Sequence, residues 1–188
     1  MRKLIHWVHT SLDGHIDGPG GAFDWPVLGP ELAAYGDALH ERVDTFLYGR
    51  VVWEMMSGFW PNAEAVSDDP HDLAFAPVWR RTPKIVFSRS LPQPEGDVRV
   101  IRGNLAEEVA ALKQSPGKDL LLSGGSILPA ALTELGLVDE HHIVVHPVVL
   151  GGGRRLFLES MDRLTFELVE SRTFDSRTVL LRYRRPAG

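Results

Sequence analysis

The sequence predicts an α/β fold with a mostly parallel central sheet, helices on both faces and a C-terminal antiparallel hairpin. Three observations carry that prediction. Short β-prone runs alternate with segments of helical period along most of the chain. The apolar run Leu120-Leu121-Leu122 stops at Ser123-Gly124-Gly125-Ser126 and passes into a helical pattern, the layout of strand, tight turn and helix. Near the end, residues 164–172 and 178–184 alternate in polarity on either side of Phe174-Asp175-Ser176-Arg177, as a hairpin does.

The elements follow in order. Residues 3–10 form an apolar first strand, and residues 11–21 a long loop rich in turn formers. A loop of that length inside a compact domain is often a lid or a binding loop. Residues 31–43 have helical spacing, with Leu32, Tyr35, Leu39 and Val43 near one stripe. A strand at 45–48 closes at Gly49-Arg50 and leads into a helix at 51–56. Residues 58–83 hold four prolines and the polar run Ser67-Asp68-Asp69-Pro70, and read as an irregular surface excursion. Strands follow at 84–87 and 98–101. Asn104 with Glu107 reads as a capping pair for a helix over 105–113. A strand at 119–122 feeds the Gly-Gly turn and a helix at 127–135, and residues 140–146 supply the next strand.

Composition narrows the function. The 188 residues are expected to form one domain over 1–188, long enough to bury roughly 70% of the unfolded surface. A formal net charge of −5 gives no electrostatic reason to expect nucleic acid or an anionic membrane as partner. With no cysteine there is no disulfide, thiolate or Cys-based metal chemistry. The N-terminal segment is too short and interrupted for a secretory signal, and no apolar run approaches a membrane span, so a cytoplasmic location is expected. His141, His142 and His146 share one strand, but His142 and His146 stand roughly 13 Å apart on it. No metal site is expected.

The glycines carry more. A Gly-Gly turn between strand and helix gathers backbone N–H groups and a helix N-terminus, where a phosphate is a natural guest; it also serves as an ordinary connection. Gly-x-Gly-x-x-Gly and Walker A patterns are both absent, so an ordinary Rossmann or P-loop site is excluded. Gly49-Arg50 and Ser88-Arg89 each follow a strand, which places them at the sheet edge where α/β proteins bind ligands. Arginine offers a planar, permanently charged fork suited to a phosphate monoester, although either arginine could equally pair with a surface carboxylate. Two arginines beside a hydroxyl suit the 2′-phosphate of NADP better than the free ribose diol of NAD.

With these residues in order, a resemblance emerges. Ser11-Leu12-Asp13-Gly14-x-Ile16, Leu47-Tyr48-Gly49-Arg50-x-x-Trp53-Glu54, Lys84-x-Val86-x-Ser88-Arg89 and the block from Gly124-Gly125 to Gly153 resemble the dihydrofolate reductase superfamily. They are most similar to the branch named for the reductase domain of the bifunctional riboflavin-biosynthesis protein. The resemblance implies a dihydrofolate reductase-like fold with NADPH lying across the strand ends. It implies that Gly49 and Arg50 meet the cofactor phosphates, Ser88 and Arg89 the 2′-phosphate, and Gly124, Gly125 and Ser126 the pyrophosphate. Ile16 would lie near the nicotinamide.

The chain departs from the family pattern in two respects. It carries no deaminase domain, and the helical carboxylate that faces the pterin in dihydrofolate reductases has no clean counterpart. Glu31 is the nearest candidate, and it also suits the first turn of a helix as a dipole partner. Asp13 is the second catalytic candidate, and it equally suits an Asx turn. Trp25 suits either a lid over the substrate or the core. The expected activity is NADPH-dependent reduction of a small heterocycle, with reduction of 5-amino-6-(5-phosphoribosylamino)uracil as the family default. Dihydrofolate or pterin reduction is one alternative, and a non-catalytic NADP-binding module or dimeric scaffold the other. A homodimer is expected because the terminal hairpin leaves a sheet edge and an apolar face to cover.

Overall fold

The structure is a computed structural model that describes residues 1–159, 161–175 and 177–186. Its centre is one eight-stranded sheet in the order β4-β3-β2-β5-β1-β6-β8-β7. The strands are β1 (Leu4–Thr10), β2 (Val43–Gly49), β3 (Lys84–Phe87), β4 (Val98–Ile101), β5 (Asp119–Ser123), β6 (Glu140–Val145), β7 (Glu167–Phe174) and β8 (Thr178–Arg184). β4 through β6 run parallel, and β8 and β7 close the sheet antiparallel. The terminal hairpin is thus as expected. Ser176, within its predicted turn, lies outside the described residues.

The helices divide between the faces. α1 (Pro30–Arg42), α2 (Arg50–Phe59) and α4 (Pro70–Arg81) pack on one face. Their Leu39, Trp53, Phe75 and Trp79 meet Ile5, Phe46, Tyr48, Val86 and Leu121. α5 (Leu105–Gln114) and α6 (Ile127–Glu134) cover the other, where Val109 and Leu132 meet Leu4, Leu47, Leu120 and Leu122. β5 is buried on both faces, which explains its unbroken leucines. The helix after β2 and the helix after β5 therefore leave adjacent strands toward opposite faces. That divergence opens a crevice at the strands' C-terminal ends, the usual ligand position in open α/β sheets.

Two expectations are corrected. Residues 58–83 are largely helical: α2 runs to Phe59, a single turn α3 spans Ala63–Val66, and α4 buries Phe75, Ala76 and Trp79. The prolines misled because three of them sit where a missing N–H costs nothing. Pro61 lies in the 3-10 turn Trp60–Asn62, Pro70 opens α4, and Pro83 follows its end. Asp69 caps α4 by accepting from the His71 N–H at 2.8 Å. Asn104, predicted as a side-chain cap, instead takes the left-handed conformation (φ 51°, ψ 44°) without a side-chain cap bond.

Candidate active site

A cavity of about 740 Å³ lies at the C-terminal ends of β1 and β5. Its two ends differ in chemistry. At one end β5 stops at Ser123, which pairs in register with Trp7 of β1. Gly124 and Gly125 both have positive φ, 54° and 77°, and the Gly124 N–H donates to the Trp7 carbonyl at 2.8 Å. A Cβ on Gly125 would make ordinary contact with the Val52 Cγ2 at 3.4 Å, so it is the backbone conformation that favours glycine there. Ser126 is buried and leads into α6 without capping it.

Gly49 leads into α2, again with no side-chain cap. Two helix N-termini without side-chain caps thus flank the crevice, and the first N–H groups of a helix have no partner within it. Gly49 pairs with Phe87 across β2 and β3, so Arg50 and Ser88 leave the sheet side by side. Arg50 spans the gap: its Nε donates to Glu54 at 2.7 Å and its Nη1 to the Ser90 hydroxyl at 2.8 Å. Ser88 Oγ accepts from the Leu91 N–H at 3.1 Å. Arg89 is exposed, with no ion-pair partner among the described residues.

The structure therefore gathers Gly49, Arg50, Ser88, Arg89, Gly124, Gly125 and Ser126 along one sheet edge. Ile16 is buried and lines the cavity, its N–H donating to the Arg154 carbonyl at 2.8 Å. Next to it, Asp17 accepts from the Arg154 backbone at 2.7 Å and from its guanidinium. Gly153, at φ 106°, fits only without a side chain, because a Cβ there would lie 1.9 Å from the Asp17 carbonyl oxygen.

Three predicted residues sit elsewhere. Asp13 accepts from the Ser11 hydroxyl at 2.6 Å and from the N–H groups of Leu150 and Gly151 at 3.1 and 2.8 Å. Those bonds, the Ser11 hydroxyl first, hold its carboxyl well below the usual carboxylate range, so it is an acceptor that ties two loops together. Glu31 lies in the exposed first turn of α1, where its carboxylate accepts from the Asp175 N–H. Asp175 returns bonds to the Glu31 and Leu32 N–H groups at 3.1 and 3.2 Å, a reciprocal cap away from the cavity. Trp25 stands edge-on to His146, with ring centroids 5.4 Å apart, behind the wall formed by Phe23 and Pro26.

The other end of the cavity went unnoticed in the sequence. α1 contributes Leu32, Gly36 and His40, one residue per turn along a stripe. α2 adds Met55, Met56 and Phe59, and α4 adds His71 and Phe75. His9 of β1 forms part of the wall and is hydrogen-bonded to His146, its Nδ1 lying 2.8 Å from His146 Nε2. Burial foremost, then His146, pushes His9 down to about 3, and burial pushes His146 and His40 down to about 4. These imidazoles are neutral at physiological pH. The Leu32/Gly36/His40 spacing could have been found, but its middle residue has no side chain and reads as a break.

With this geometry in place, comparison with known proteins is decisive. A sequence model of the RibD C-terminal domain matches residues 2–180, and the chain belongs to that family. It is 36% identical over 183 residues to the uncharacterized protein YyaP of Bacillus subtilis (strain 168), spanning 97% of this chain and 95% of that one. A Shewanella sp. PV-4 protein assigned to riboflavin biosynthesis superposes with a TM-score of 0.77 at 28% identity, over 98% of this chain and 99% of that one. Dihydrofolate reductase from Enterococcus faecalis, solved with NADP(H), superposes with a TM-score of 0.66 over 98% of this chain and 97% of that one. At 17% identity this last likeness shows the fold alone. The dihydrofolate reductase-like fold and the riboflavin-reductase branch expected from the residues are those of this chain.

Proposed function

We propose that the protein is a single-domain, NADPH-dependent reductase of a small heterocyclic substrate, working in the cytoplasm as a homodimer. The observation that carries the reading is one continuous cavity. It has two glycines of positive φ and uncapped helix N-termini at one end, and an apolar, histidine-bearing compartment at the other. The residues present fit a dinucleotide, since the positive φ of Gly124 and Gly125 turns the chain between β5 and α6 beside two helix N-termini that carry no side-chain cap. When bound, NADPH supplies the hydride.

The chain's own residues bind and orient. The N–H groups around Gly124, Gly125 and Ser126, with the α2 N-terminus at Gly49, hold the pyrophosphate. Ser88, Arg89 and Arg50 hold the 2′-phosphate. Arg50's present partners are both exposed, so exchanging them for a phosphate costs little. Ile16 packs at the nicotinamide end, and Asp13 keeps its loop in place from outside the cavity. Trp7, Leu32 and Phe59 keep water from the reacting faces.

The reading is tested by following NADPH absorbance with a panel of aminopyrimidines and pterins. Steady oxidation with one of them is expected. NADPH binding without turnover of any ring would instead leave a binding module that lacks catalysis.

A further inference from the structure

The α1/α4 end of the cavity has a chemistry of its own. His40 of α1 stacks on Phe75 of α4, ring centroids 4.5 Å apart and planes at 30°. His71 lies parallel to the same phenyl ring, centroids 5.9 Å apart and planes at 5°. Trp60 meets Phe75 edge-on at 4.7 Å. The Nδ1 atoms of both His40 and His71 are buried and have no hydrogen-bond partner among the described residues. These two nitrogens are closed off from the open space of the cavity, whereas the Nε2 atoms of both rings are not wholly buried and also lack a hydrogen-bond partner among the described residues, so Nε2 is the atom each ring offers to the polar edge of a guest. The remaining walls of this end are Met55, Phe59 and Leu32.

The charges facing this end are negative or already paired. Asp69 and Asp72 line it from α4; Asp72 accepts from the Ser67 hydroxyl at 2.6 Å and Asp69 caps its helix. Arg154 is the cavity's lining cation among the described residues, and Asp17 holds it. A phosphorylated tail placed here would meet two carboxylates and no available guanidinium or ammonium, which is a costly desolvation.

We infer that this end takes an uncharged planar ring with donor or acceptor atoms on its edge, contacted by His40 and His71, and that it rejects phosphorylated ribosides. The inference rests on the reductase reading for the ring's role as substrate. It assigns His40 and His71 as specificity-determining residues. It also moves the substrate away from the phosphoribosyl compound that the family default implies.

Calorimetry with an aminopyrimidine riboside and its 5′-phosphate, on the free protein and with NADPH present, tests this. The riboside is expected to bind about tenfold more tightly than its phosphate in both conditions. His40→Phe and His71→Phe keep a ring in place and delete the nitrogens. Each is expected to weaken the riboside about tenfold while thermal melting and NADPH affinity stay as in the parent. A phosphate that binds as tightly as the riboside, or variants that leave riboside affinity unchanged, would overturn the inference. Failure of NADPH to bind, with the ring preference intact, would sink the cofactor reading and leave this one standing.

Discussion

Gly153 and Gly125 both take positive φ, but only at Gly153 do the neighbouring atoms also leave no room for a side chain, and the two make different predictions. Gly153→Ala would drive a Cβ into the Asp17 carbonyl, in a loop that also carries the Asp17–Arg154 pair. Strain alone is expected to cost roughly 1–3 kcal/mol, read as a lower urea midpoint with unchanged slope. Gly125→Ala would find only ordinary contact with Val52, so its stability cost is confined to the positive φ, about 1 kcal/mol and less than at Gly153, while NADPH affinity should fall about tenfold. Equal loss of stability in the two variants would contradict the assignment of Gly125 to the cofactor. Asp13 is the residue whose role shifted most. It sits in the family motif, yet Ser11, Leu150 and Gly151 all donate to it, so it fastens loops. Its pKa is depressed in the folded state, so its contribution is complete above the ordinary value of 3.8 and is lost as pH falls below it. Melts of the parent and Asp13→Asn should differ at pH 7, and the gap should begin to narrow only as pH falls below 3.8.

At the scale of elements, what was legible depended on how each residue type signals. The unbroken leucines of β5 and the alternation of the terminal hairpin announced themselves, because burial on both faces and on one face leave different patterns. α4 was hidden because proline was read as a breaker, whereas Pro70 sits in the first turn, where the backbone N–H has no partner within the helix. The glycine and arginine turns were legible because each directly follows an apolar run, and β-sheet register then sets Arg50 beside Ser88. The α1/α4 end of the cavity was not, since it assembles from single residues on α1, α2 and α4 that only tertiary packing brings together. Asp69 offers a check on α4 as an independent element. Asp69→Ala removes the bond to the His71 N–H and should cost about 1 kcal/mol in a denaturant melt. A cost near zero would mean that docking of Phe75 and Trp79 holds the helix without its cap.

Across the whole molecule, helices leaving β2 and β5 toward opposite faces create the crevice, and the sheet's parallel strands aim their loops into it. The same burial that shapes the cavity also sets its acid response. His9, His40, His141 and His146 are all held neutral, at about 3 for the first and about 4 for the others, mainly by burial. The unfolded chain takes up these protons near the ordinary histidine value of 6.5, so stability should fall as pH drops from 6.5 toward 4. Urea melts between pH 7.5 and 4 would show a flat profile if the imidazoles were solvated instead. The central claim concerns the sheet edge, and a fluorescence titration of NADPH and NADH against the parent protein and Arg89→Ala tests it most directly. The account predicts clear preference for NADPH in the parent and loss of that preference in Arg89→Ala. Equal binding of the two cofactors, untouched by the substitution, would contradict it.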